Sequence, residues 1–299
     1  MVFTRATKQQ ALLRCALFGP SGAGKTFTAL RIATGMGGPI ALIDTERCSA
    51  SKYGDRFEFD TCDLSDRRID GYIGAITEAG SAGYRVLIID SLSHAWQELL
   101  TEVDRLAKSK YQGNTWSAWS DGTPKQRKLV DALLRYPGHL IATMRTKTEW
   151  TTEQGSNGKS RPVRIGLAPE QGKGIEYEFD LLLELNTDHI ATVIKDRTGK
   201  FQDEMMDRPG EEFGRGLIAW LNSGEKPAPI NATQLEELAH LQEMLKYDDA
   251  RVLEGCMRLG YDVVDIQGLT EAQAHRVLEA MHRRYNDMKE MEGAAHASE

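Results

Sequence analysis

Residues 19–26 read Gly19-Pro20-Ser21-Gly22-Ala23-Gly24-Lys25-Thr26, a phosphate-loop pattern of two glycines separated by four residues, then Lys and Thr. Glycines let such a loop curl so that successive backbone N–H groups surround an anion. The pattern predicts that Lys25 reaches terminal phosphates and that the Thr26 hydroxyl ligates Mg²⁺. The preceding run Arg14–Phe18 is typical of a strand. Residues 27–36 are typical of a helix, whose N-terminal dipole favours phosphate. The sequence therefore predicts a nucleoside triphosphate site.

The composition is that of a globular chain without a membrane segment. Its 299 residues, 40% hydrophobic and 27% charged, are enough for a full α/β core and a small appendage. No apolar run approaches a membrane span, and the N-terminus lacks the apolar core of a signal peptide, so no membrane partner is expected. The four cysteines lack metal-like spacing, which predicts reduced thiols in a cytoplasmic protein. The net charge of −7 disfavours nucleic-acid binding over the whole surface but allows a local basic groove.

Strand-like and helix-like runs alternate along the first three-quarters of the chain. Apolar runs at 40–44, 86–90 and 139–144 are separated by helical patterns at about 68–78, 94–109 and 125–136. This rhythm predicts an α/β fold with a mostly parallel sheet and helices on both faces. Runs at 178–185 and 190–195 flank a short polar turn, which predicts a C-terminal antiparallel hairpin. A helix at about 210–222 is expected to close the domain.

The last quarter has a different character. Residues 224–230 contain Gly and Pro and are expected to form a linker. Leucines at helical spacing then predict a small all-α module over 231–290, and 291–299 are expected to be a disordered tail. The module's cations are offset by acids, which favours packing or partner docking.

Two carboxylates are predicted at the carboxyl edge of the sheet, where ligands bind in open α/β folds. The apolar run 86–90 ends in Asp90, which is suited to the magnesium shell beside a phosphate loop. The run 40–44 leads into Thr45-Glu46, which would place the Glu46 carboxylate where a general base is needed. From the residues alone, a solvated loop acid is an equally good interpretation of Glu46.

The order of these parts resembles that of the RecA-like ATPases: phosphate loop, Ile43-Asp44-Thr45-Glu46, Ile88-Ile89-Asp90-Ser91 and Lys195-Asp196-Arg197. Within that group the chain is most similar to the phage-encoded Sak-type RecA-core proteins of single-strand annealing and recombination. The resemblance covers about residues 14–221. It implies a RecA-like ATPase core over residues 1–223 that uses ATP and Mg²⁺. Phage recombination proteins have similar small helical appendages, which implies that the helical module helps with DNA or contacts a single-strand DNA-binding protein.

The resemblance also implies roles for individual residues. Glu46 matches the catalytic glutamate, and Asp90 matches the magnesium-associated aspartate. Tyr53 matches an aromatic that stacks on adenine; with the phosphate loop and Phe27, it completes the expected nucleotide contacts. Lys195 and Arg197 match a basic pair that reaches the neighbouring subunit's terminal phosphates. Alternate strand positions point the same way, which suits a clamp on transition-state charge, although a solvent-facing strand with ordinary surface charge is the alternative.

One position departs from the family pattern. RecA-like recombinases usually carry a polar sensor, often Gln, at the end of the strand that matches residues 141–144. Here the run is Thr143-Met144-Arg145-Thr146-Lys147. A switch between nucleotide and DNA is therefore expected either to use Thr143 or Arg145 or to be weak, with little stimulation of the ATPase by DNA.

Two long segments are predicted as loops where RecA-like proteins have their DNA loops. Residues 110–125 contain two tryptophans among small polar residues, and 145–173 carry six cations, three acids and a Gly-containing tip at 155–158. Cations that track phosphates, with aromatics for base stacking, suit single-stranded DNA. A mobile surface loop is the alternative. The predicted DNA-binding residues are Trp116, Trp119, Arg145, Lys147, Trp150, Lys159, Arg161, Arg164 and Lys173.

Together these features predict an ATP-hydrolysing protein that assembles head to tail on single-stranded DNA and promotes annealing or strand exchange in phage recombination, in the cytoplasm of the infected bacterium. Three alternatives stay open. A hexameric DNA motor would share the core but unwind forked duplexes. A small-molecule kinase would share the phosphate loop and need no neighbour's cations. A non-catalytic binding protein would use ATP only as an assembly switch.

Overall fold

Buried strands and the helices that cover them make up the larger of two compact units, Leu12–Leu221. The computed structural model describes residues 8, 10–154, 160–259, 261 and 263–296. The strands are β1 (Arg14–Phe18), β2 (Ile40–Asp44), β3 (Asp60–Asp63), β4 (Val86–Asp90), β5 (His139–Met144), β6 (Thr146–Gln154), β7 (Ser160–Pro169), β8 (Leu181–Leu185), β9 (Ile190–Asp196) and β10 (Met205–Asp207). The helices of this unit are α1 (Lys25–Met36), α2 (Ile69–Ser81), α3 (Ser93–Lys110), α4 (Thr115–Arg135) and α5 (Glu211–Leu221).

Eight of the strands form one sheet in the order β10-β9-β8-β1-β5-β4-β2-β3. The pairs from β8 through β1, β5, β4 and β2 to β3 are parallel, whereas β8–β9 and β9–β10 are antiparallel. Every residue of β1, β2, β4 and β5 is buried, as expected for parallel strands that are covered on both faces. The predicted α/β class, with its mostly parallel sheet and C-terminal antiparallel hairpin, is confirmed, and the arrangement is that of an α/β P-loop NTPase.

The helices divide between the two faces of the sheet. On one face, α1 and α5 bury Leu30 and Leu217 in one apolar cluster. On the other, α2 and α4 bury Tyr72 and Leu129 in a second cluster. Both clusters also contain strand residues, because successive side chains along each strand point to opposite faces of the sheet. This packing fixes the carboxyl ends of β1, β2, β4 and β5 in one row, because the parallel register pairs Phe18 with Met144 and Asp44 with Asp90.

The predicted loop at 110–125 is wrong, because most of it is the first half of α4. The Asn114 side chain caps the helix by accepting the Ser117 N–H at 3.1 Å. Ala118 and Trp119 then pack against α3, which outweighs the weak helix propensity of Gly122 and the presence of Pro124 inside the helix.

The predicted loop at 145–173 is also wrong over most of its length. Strands β6 and β7 pair antiparallel as a separate two-stranded sheet. A single residue, Arg145, separates the end of β5 from the start of β6. Alternating Thr and charged residues in 146–149 favour such a ribbon, with one face for each set of side chains. The side chains of residues 149–166 lie outside the described part of the structure, as do residues 155–159 entirely.

The second compact unit comprises Asn222–Glu299 and Met1–Ala11. Its helices are α6 (Ala232–Leu245), α7 (Asp249–Arg258) and α8 (Glu271–His296), which share one apolar cluster. Asn231 and Gln234 form a capping box at the start of α6. None of the described helices is long and apolar enough to cross a bilayer.

Two sequence predictions for this part of the chain differ from the structure. In the predicted linker, the Glu225 N–H donates to the Lys8 carbonyl at 2.8 Å, and Pro229 bridges to Thr270, so hydrogen bonds hold it within this unit. The tail predicted to be disordered from Met291 is helical to His296, because α8 continues through residues that include Met, Glu and Ala, which are good helix formers.

Candidate nucleotide-binding site

The phosphate loop connects the end of β1 to the start of α1. Gly22 and Gly24 have φ angles of 83° and 81°, a region that favours glycine. A Cβ atom on Gly19 would lie 2.3 Å from the carbonyl oxygen of Leu185, so the loop can pass the end of β8 only with glycine there. The sequence motif therefore has a direct steric basis: the glycines allow the left-handed turns and the close approach that the anion-binding loop requires.

Lys25 is the first residue of α1, and its side chain turns back across the loop. Its Nζ donates hydrogen bonds to the carbonyl oxygens of Gly19 and Pro20, both at 2.9 Å. Burial lowers the pKa of Lys25, although the nearby carboxylates of Asp90 and Glu46 act in the opposite direction. The ammonium group is thus a compact positive charge at the mouth of the loop, where an anionic ligand can replace the two carbonyl partners.

Asp90 lies at the end of β4 and is 3% exposed. The Thr26 hydroxyl donates to Asp90 Oδ2 at 2.5 Å, and the Thr143 hydroxyl, from the neighbouring strand β5, donates to Oδ1. Burial raises the pKa of Asp90, and the two hydroxyl donors partly offset that rise. A carboxylate and a hydroxyl in direct contact beside a phosphate loop fit Mg²⁺, which is usually held by one or two carboxylates together with substrate phosphates.

Glu46 follows β2 and reaches the same edge of the sheet. The buried Asp44 carboxylate accepts the backbone N–H groups of Glu46 at 2.6 Å and Ala50 at 2.8 Å, which fixes the turn. The Glu46 side chain accepts a hydrogen bond from Arg145 Nη2 at 2.7 Å, and this ion pair is partly exposed. Glu46 and Lys25 line one cavity, so the predicted general base lies beside the predicted phosphate site.

A buried network holds Glu46 and Asp90 in a fixed relation, and it is not apparent from the sequence. The Thr45 hydroxyl accepts the Ser91 N–H at 2.8 Å and lies 2.7 Å from His94 Nδ1. Burial lowers the pKa of His94, which favours the neutral imidazole. Because Thr45 precedes Glu46 and Ser91 follows Asp90, the network ties the ends of β2 and β4 together.

Aromatic side chains form one wall of the cavity, which has a volume of about 1010 Å³. The Phe27 and Tyr53 ring centroids are 5.6 Å apart, and Phe27 also packs edge-to-face on Phe57 at 5.3 Å. Phe27 and Tyr53 both line the cavity, as expected if they contact a nucleotide. An aromatic wall beside an anion site is suited to a nucleobase, which can stack on the face of one of the rings.

Sequence patterns missed several further residues of the cavity wall, among them one histidine and three arginines. His189 lies in the turn between β8 and β9, with Nδ1 3.2 Å from the Ala23 carbonyl oxygen. No local motif marks it, because only the pairing of β8 with β1 brings that turn to the phosphate loop. The three arginines come from separate segments: Arg31, Arg56 and Arg208.

Lys195 and Arg197 lie at the opposite end of the sheet. Lys195 Nζ donates to the carbonyl oxygens of Glu176 and Tyr177, both at 2.9 Å. Arg197 donates to the Tyr177 carbonyl at 2.7 Å and pairs with Asp180 at 3.1 Å. The two cations therefore converge on one short segment, as alternate strand positions predict, and neither lines the nucleotide cavity of its own chain.

The predicted DNA-binding residues fall into three groups. Arg145 lines the nucleotide cavity, whereas Lys147 and Lys173 are exposed near the base of the β6–β7 hairpin. Trp116 on α4 is 89% exposed, but Trp119 stacks on Trp96 with ring centroids 5.6 Å apart. Three others lie on β6 and β7, where only the backbone is described: Trp150, Arg161 and Arg164. Lys159 falls outside the described residues.

Comparison with known families identifies the class. The family model of an AAA domain matches residues 11–206, which contain the phosphate loop, Glu46, Asp90 and the rest of the site described above except Arg208. The chain belongs to this AAA domain family and is a nucleotide-binding protein of the P-loop ATPase class. No curated protein matches the chain.

Proposed function

We propose that this chain is a Sak-type RecA-core ATPase that assembles head to tail on single-stranded DNA and promotes annealing or strand exchange during phage recombination. It acts in the cytoplasm of the infected bacterium, and its helical module contacts a single-strand DNA-binding protein. ATP binds between neighbouring subunits, so that binding favours assembly and hydrolysis favours release.

The observation that carries the DNA part of this proposal is the position of the β6–β7 hairpin. Arg145 and Thr146, where β6 begins, and Glu170, just after β7 ends, line the same cavity as the phosphate loop. The hairpin is a separate two-stranded sheet, and its strands carry three of the six predicted basic positions, Lys147, Arg161 and Arg164. A basic ribbon connected directly to a nucleotide site is suited to bind a phosphate backbone in a nucleotide-dependent way.

The location of Lys195 and Arg197 supports head-to-tail assembly. Strand β9 runs antiparallel to β8, from the turn at His189 beside the phosphate loop to Asp196 at the amino ends of the parallel strands. Seven residues at about 3.3 Å each separate the ends of this strand by roughly 20 Å. The pair is therefore far from its own phosphate loop, and a neighbour stacked in the same orientation would bring it to a second triphosphate.

The chemistry at each shared site follows from the residues on the two surfaces. The phosphate loop and Lys25 bind the triphosphate, and Glu46 orients and deprotonates the attacking water. Thr26 and Asp90 would hold Mg²⁺, which neutralises charge on the transferred phosphoryl group. Lys195 and Arg197 from the neighbour would stabilise the charge that develops on the terminal phosphate.

The DNA part is tested by the affinity of the full chain for a labelled oligo-dT strand, measured by fluorescence anisotropy over a range of salt concentrations with a non-hydrolysable ATP analogue. We expect the double variant Lys147→Ala/Arg164→Ala to bind more weakly and to reduce the slope of log affinity against log salt by about 0.7 per lost phosphate contact. Lys108→Ala, which removes an exposed lysine from α3, is the matched control. Equal slopes for all three proteins would contradict the assignment of DNA binding to the hairpin.

Annealing distinguishes this function from that of a DNA motor. Complementary labelled strands should pair faster with the protein than without it, and a forked duplex should stay intact under the same conditions with ATP. Unwinding of the fork that depends on ATP would instead favour the motor.

A further inference from the structure

Arg145 occupies the junction between the nucleotide cavity and the hairpin. It is the single residue between β5 and β6, and its guanidinium lines the cavity that contains Lys25 and Asp90. Its Nη2 donates to Glu46 Oε1 at 2.7 Å. This single charge-assisted hydrogen bond occupies one oxygen of the Glu46 carboxylate. That oxygen is then less able to accept a proton from water.

The backbone around Arg145 is bonded to both neighbouring parts of the molecule. The Arg145 N–H donates to Ser93 Oγ at 2.9 Å, just beyond the strand that ends in Asp90. The Arg145 carbonyl accepts the Glu170 N–H at 2.7 Å, where the chain returns from β7. A displacement of Arg145 would therefore be transmitted to both sides of the hairpin base.

A second set of contacts ties the returning chain to the same site. The Gln171 side chain is buried and donates to the Leu92 carbonyl oxygen at 2.6 Å. The Lys147 ammonium donates to the Gln171 carbonyl at 3.1 Å. The Leu92 N–H in turn donates to the Thr143 carbonyl at 2.9 Å, and the Thr143 hydroxyl binds Asp90. The base of the hairpin and the predicted magnesium ligand thus share one hydrogen-bonded frame.

We propose that Arg145 is a positioning residue that exchanges between two anions, the Glu46 carboxylate and the terminal phosphate of ATP. This inference rests on the proposed function, in which Glu46 is the general base. Binding of ATP draws the guanidinium to the γ-phosphate, frees Glu46 to orient water and shifts the hairpin base. ADP lacks that phosphate and leaves the Arg145–Glu46 pair intact.

The electrostatics favour such an exchange. The side chains of Arg145 and Glu46 are 43% and 35% exposed, so water screens their attraction and the pair is weak. A terminal phosphate carries more charge than a carboxylate and offers three oxygens to the guanidinium fork. Lys25 lines the same cavity, and burial together with a smaller effect of the Arg145 charge lowers the pKa of Lys25. An anion bound in the cavity would relieve the repulsion between these two cations.

The test is the preference of the full chain for a hydrolysis-resistant ATP analogue over ADP, measured as the ratio of the two dissociation constants by calorimetry. Arg145→Ala should reduce this preference by about tenfold or more, because a charge-assisted contact to the γ-phosphate is lost. Glu46→Gln should increase it, because the guanidinium no longer has a competing carboxylate. Arg145→Lys, which retains the charge without the fork, should fall between Arg145→Ala and the wild type.

Arg67→Ala is the matched control, since Arg67 is a nearby arginine at the same edge of the sheet that does not line the nucleotide cavity. It should keep the wild-type preference. Hydrogen exchange at residues 144–148 and 167–171 gives a second readout: the analogue should change it in the wild type, ADP should not, and Arg145→Ala should abolish the difference.

A wild-type preference and a wild-type exchange response in Arg145→Ala would overturn the proposal. So would Glu46→Gln and Arg145→Ala shifting the preference in the same direction, because the two anions would then not compete. Failure of the proposed function would be seen in other measurements, whatever the nucleotide preference of Arg145→Ala. Wild-type turnover in Glu46→Gln would show that Glu46 is not the general base. Absence of salt-dependent DNA binding in the wild type would contradict the proposed DNA binding.

Discussion

The two ends of the central sheet carry cations in different settings. At the carboxyl end, Lys25 lies in a cavity with Glu46 and Asp90. The Asp90 side chain is held by the Thr26 and Thr143 hydroxyls, and the Glu46 side chain is held by Arg145. At the amino end, Lys195 and Arg197 are partly exposed and are held mainly by backbone carbonyls. The first end contains the groups that bind and activate a phosphate within one chain. The second holds its two cations against the segment 176–180, where Arg197 already pairs with Asp180, and neither cation lines the nucleotide cavity of the same chain.

The amino end also contains the buried polar groups that stabilise the core. The Arg14 guanidinium donates to the carbonyl oxygens of Gly138 at 2.8 Å and Tyr136 at 2.5 Å, and burial lowers its pKa to about 10. His139 Nδ1 accepts the Leu13 N–H at 3.1 Å. Stability and surface charge are thus combined at one end, while the carboxyl end carries the predicted chemistry. Four predictions test this division.

The largest effect is expected at the carboxyl end, from Lys25→Ala. Without the ammonium group, the phosphate loop lacks the charge that faces terminal phosphates, so ATP binding should fall below detection and turnover should be lost. Calorimetric titration with an ATP analogue measures this. The fold should survive, because Lys25 bonds only to carbonyl groups of its own loop, and circular dichroism provides that check. Micromolar ATP binding by a folded Lys25→Ala protein would contradict the site assignment.

The next largest effect tests whether two neighbouring subunits share one triphosphate, with the carboxyl end of one sheet facing the amino end of the next. Arg197→Ala alone should lower turnover by about 1,000-fold or more, as removal of a charge-stabilising arginine does in other phosphoryl-transfer enzymes. A mixture of Arg197→Ala and Lys25→Ala subunits should recover part of the activity, because some interfaces then join an intact phosphate loop to an intact cation pair. A mixture no more active than Arg197→Ala alone would argue against sharing.

A smaller effect is expected from pH at the amino end. Burial lowers the pKa of His139 to about 4, below its usual value of 6.5, so the folded protein binds fewer protons than the unfolded chain between these values. The neutral His139 therefore adds to the free energy of unfolding. This addition is complete above pH 6.5 and is lost as pH falls towards 4, and it amounts to about 3 kcal/mol. Urea unfolding between pH 7 and 4.5 measures it. His139→Asn should remove this component, and a parallel pH dependence in both proteins would contradict it.

The smallest effect is expected on the stability of the single chain when Arg197 is removed. Its bond to Asp180 is largely exposed, so Arg197→Ala should cost only about 0–1 kcal/mol in the free energy of unfolding. Urea unfolding at low protein concentration measures this. A loss above about 2 kcal/mol would indicate that Arg197 holds the fold, and the turnover effect above would then have a structural explanation.

Much of the nucleotide site could be predicted because its signals are local. The glycines at 19, 22 and 24 are required by turns and contacts within a short loop, and apolar runs that end in Asp44 and Asp90 place those residues at one sheet edge. The cavity wall could not be predicted to the same extent. His189 and Arg208 reach it through β8, β9 and β10, and their position depends on strand pairing between residues far apart in the chain.

The two misassigned loops have different physical causes. In α4, the burial of Ala118 and the Trp119–Trp96 contact stabilise a helix that its Gly, Ser and Asn content disfavours, so tertiary packing decided the outcome. In β6–β7, the alternation of Thr and charged residues at 146–149 was a usable local signal for a strand. The Gly-containing run at 155–158 also fits a hairpin turn.

Local sequence is enough to specify the phosphate loop, the parallel sheet and the presence of Asp90 and Glu46 at its carboxyl edge, because backbone sterics and the burial of apolar runs act over a few residues. Three relations are visible only in the folded chain: Arg145 binds Glu46, a hairpin begins beside the cavity, and Lys195 and Arg197 lie at the far end of the sheet. These relations depend on which strands pair and in which direction, and long-range pairing leaves little trace in any short stretch of sequence.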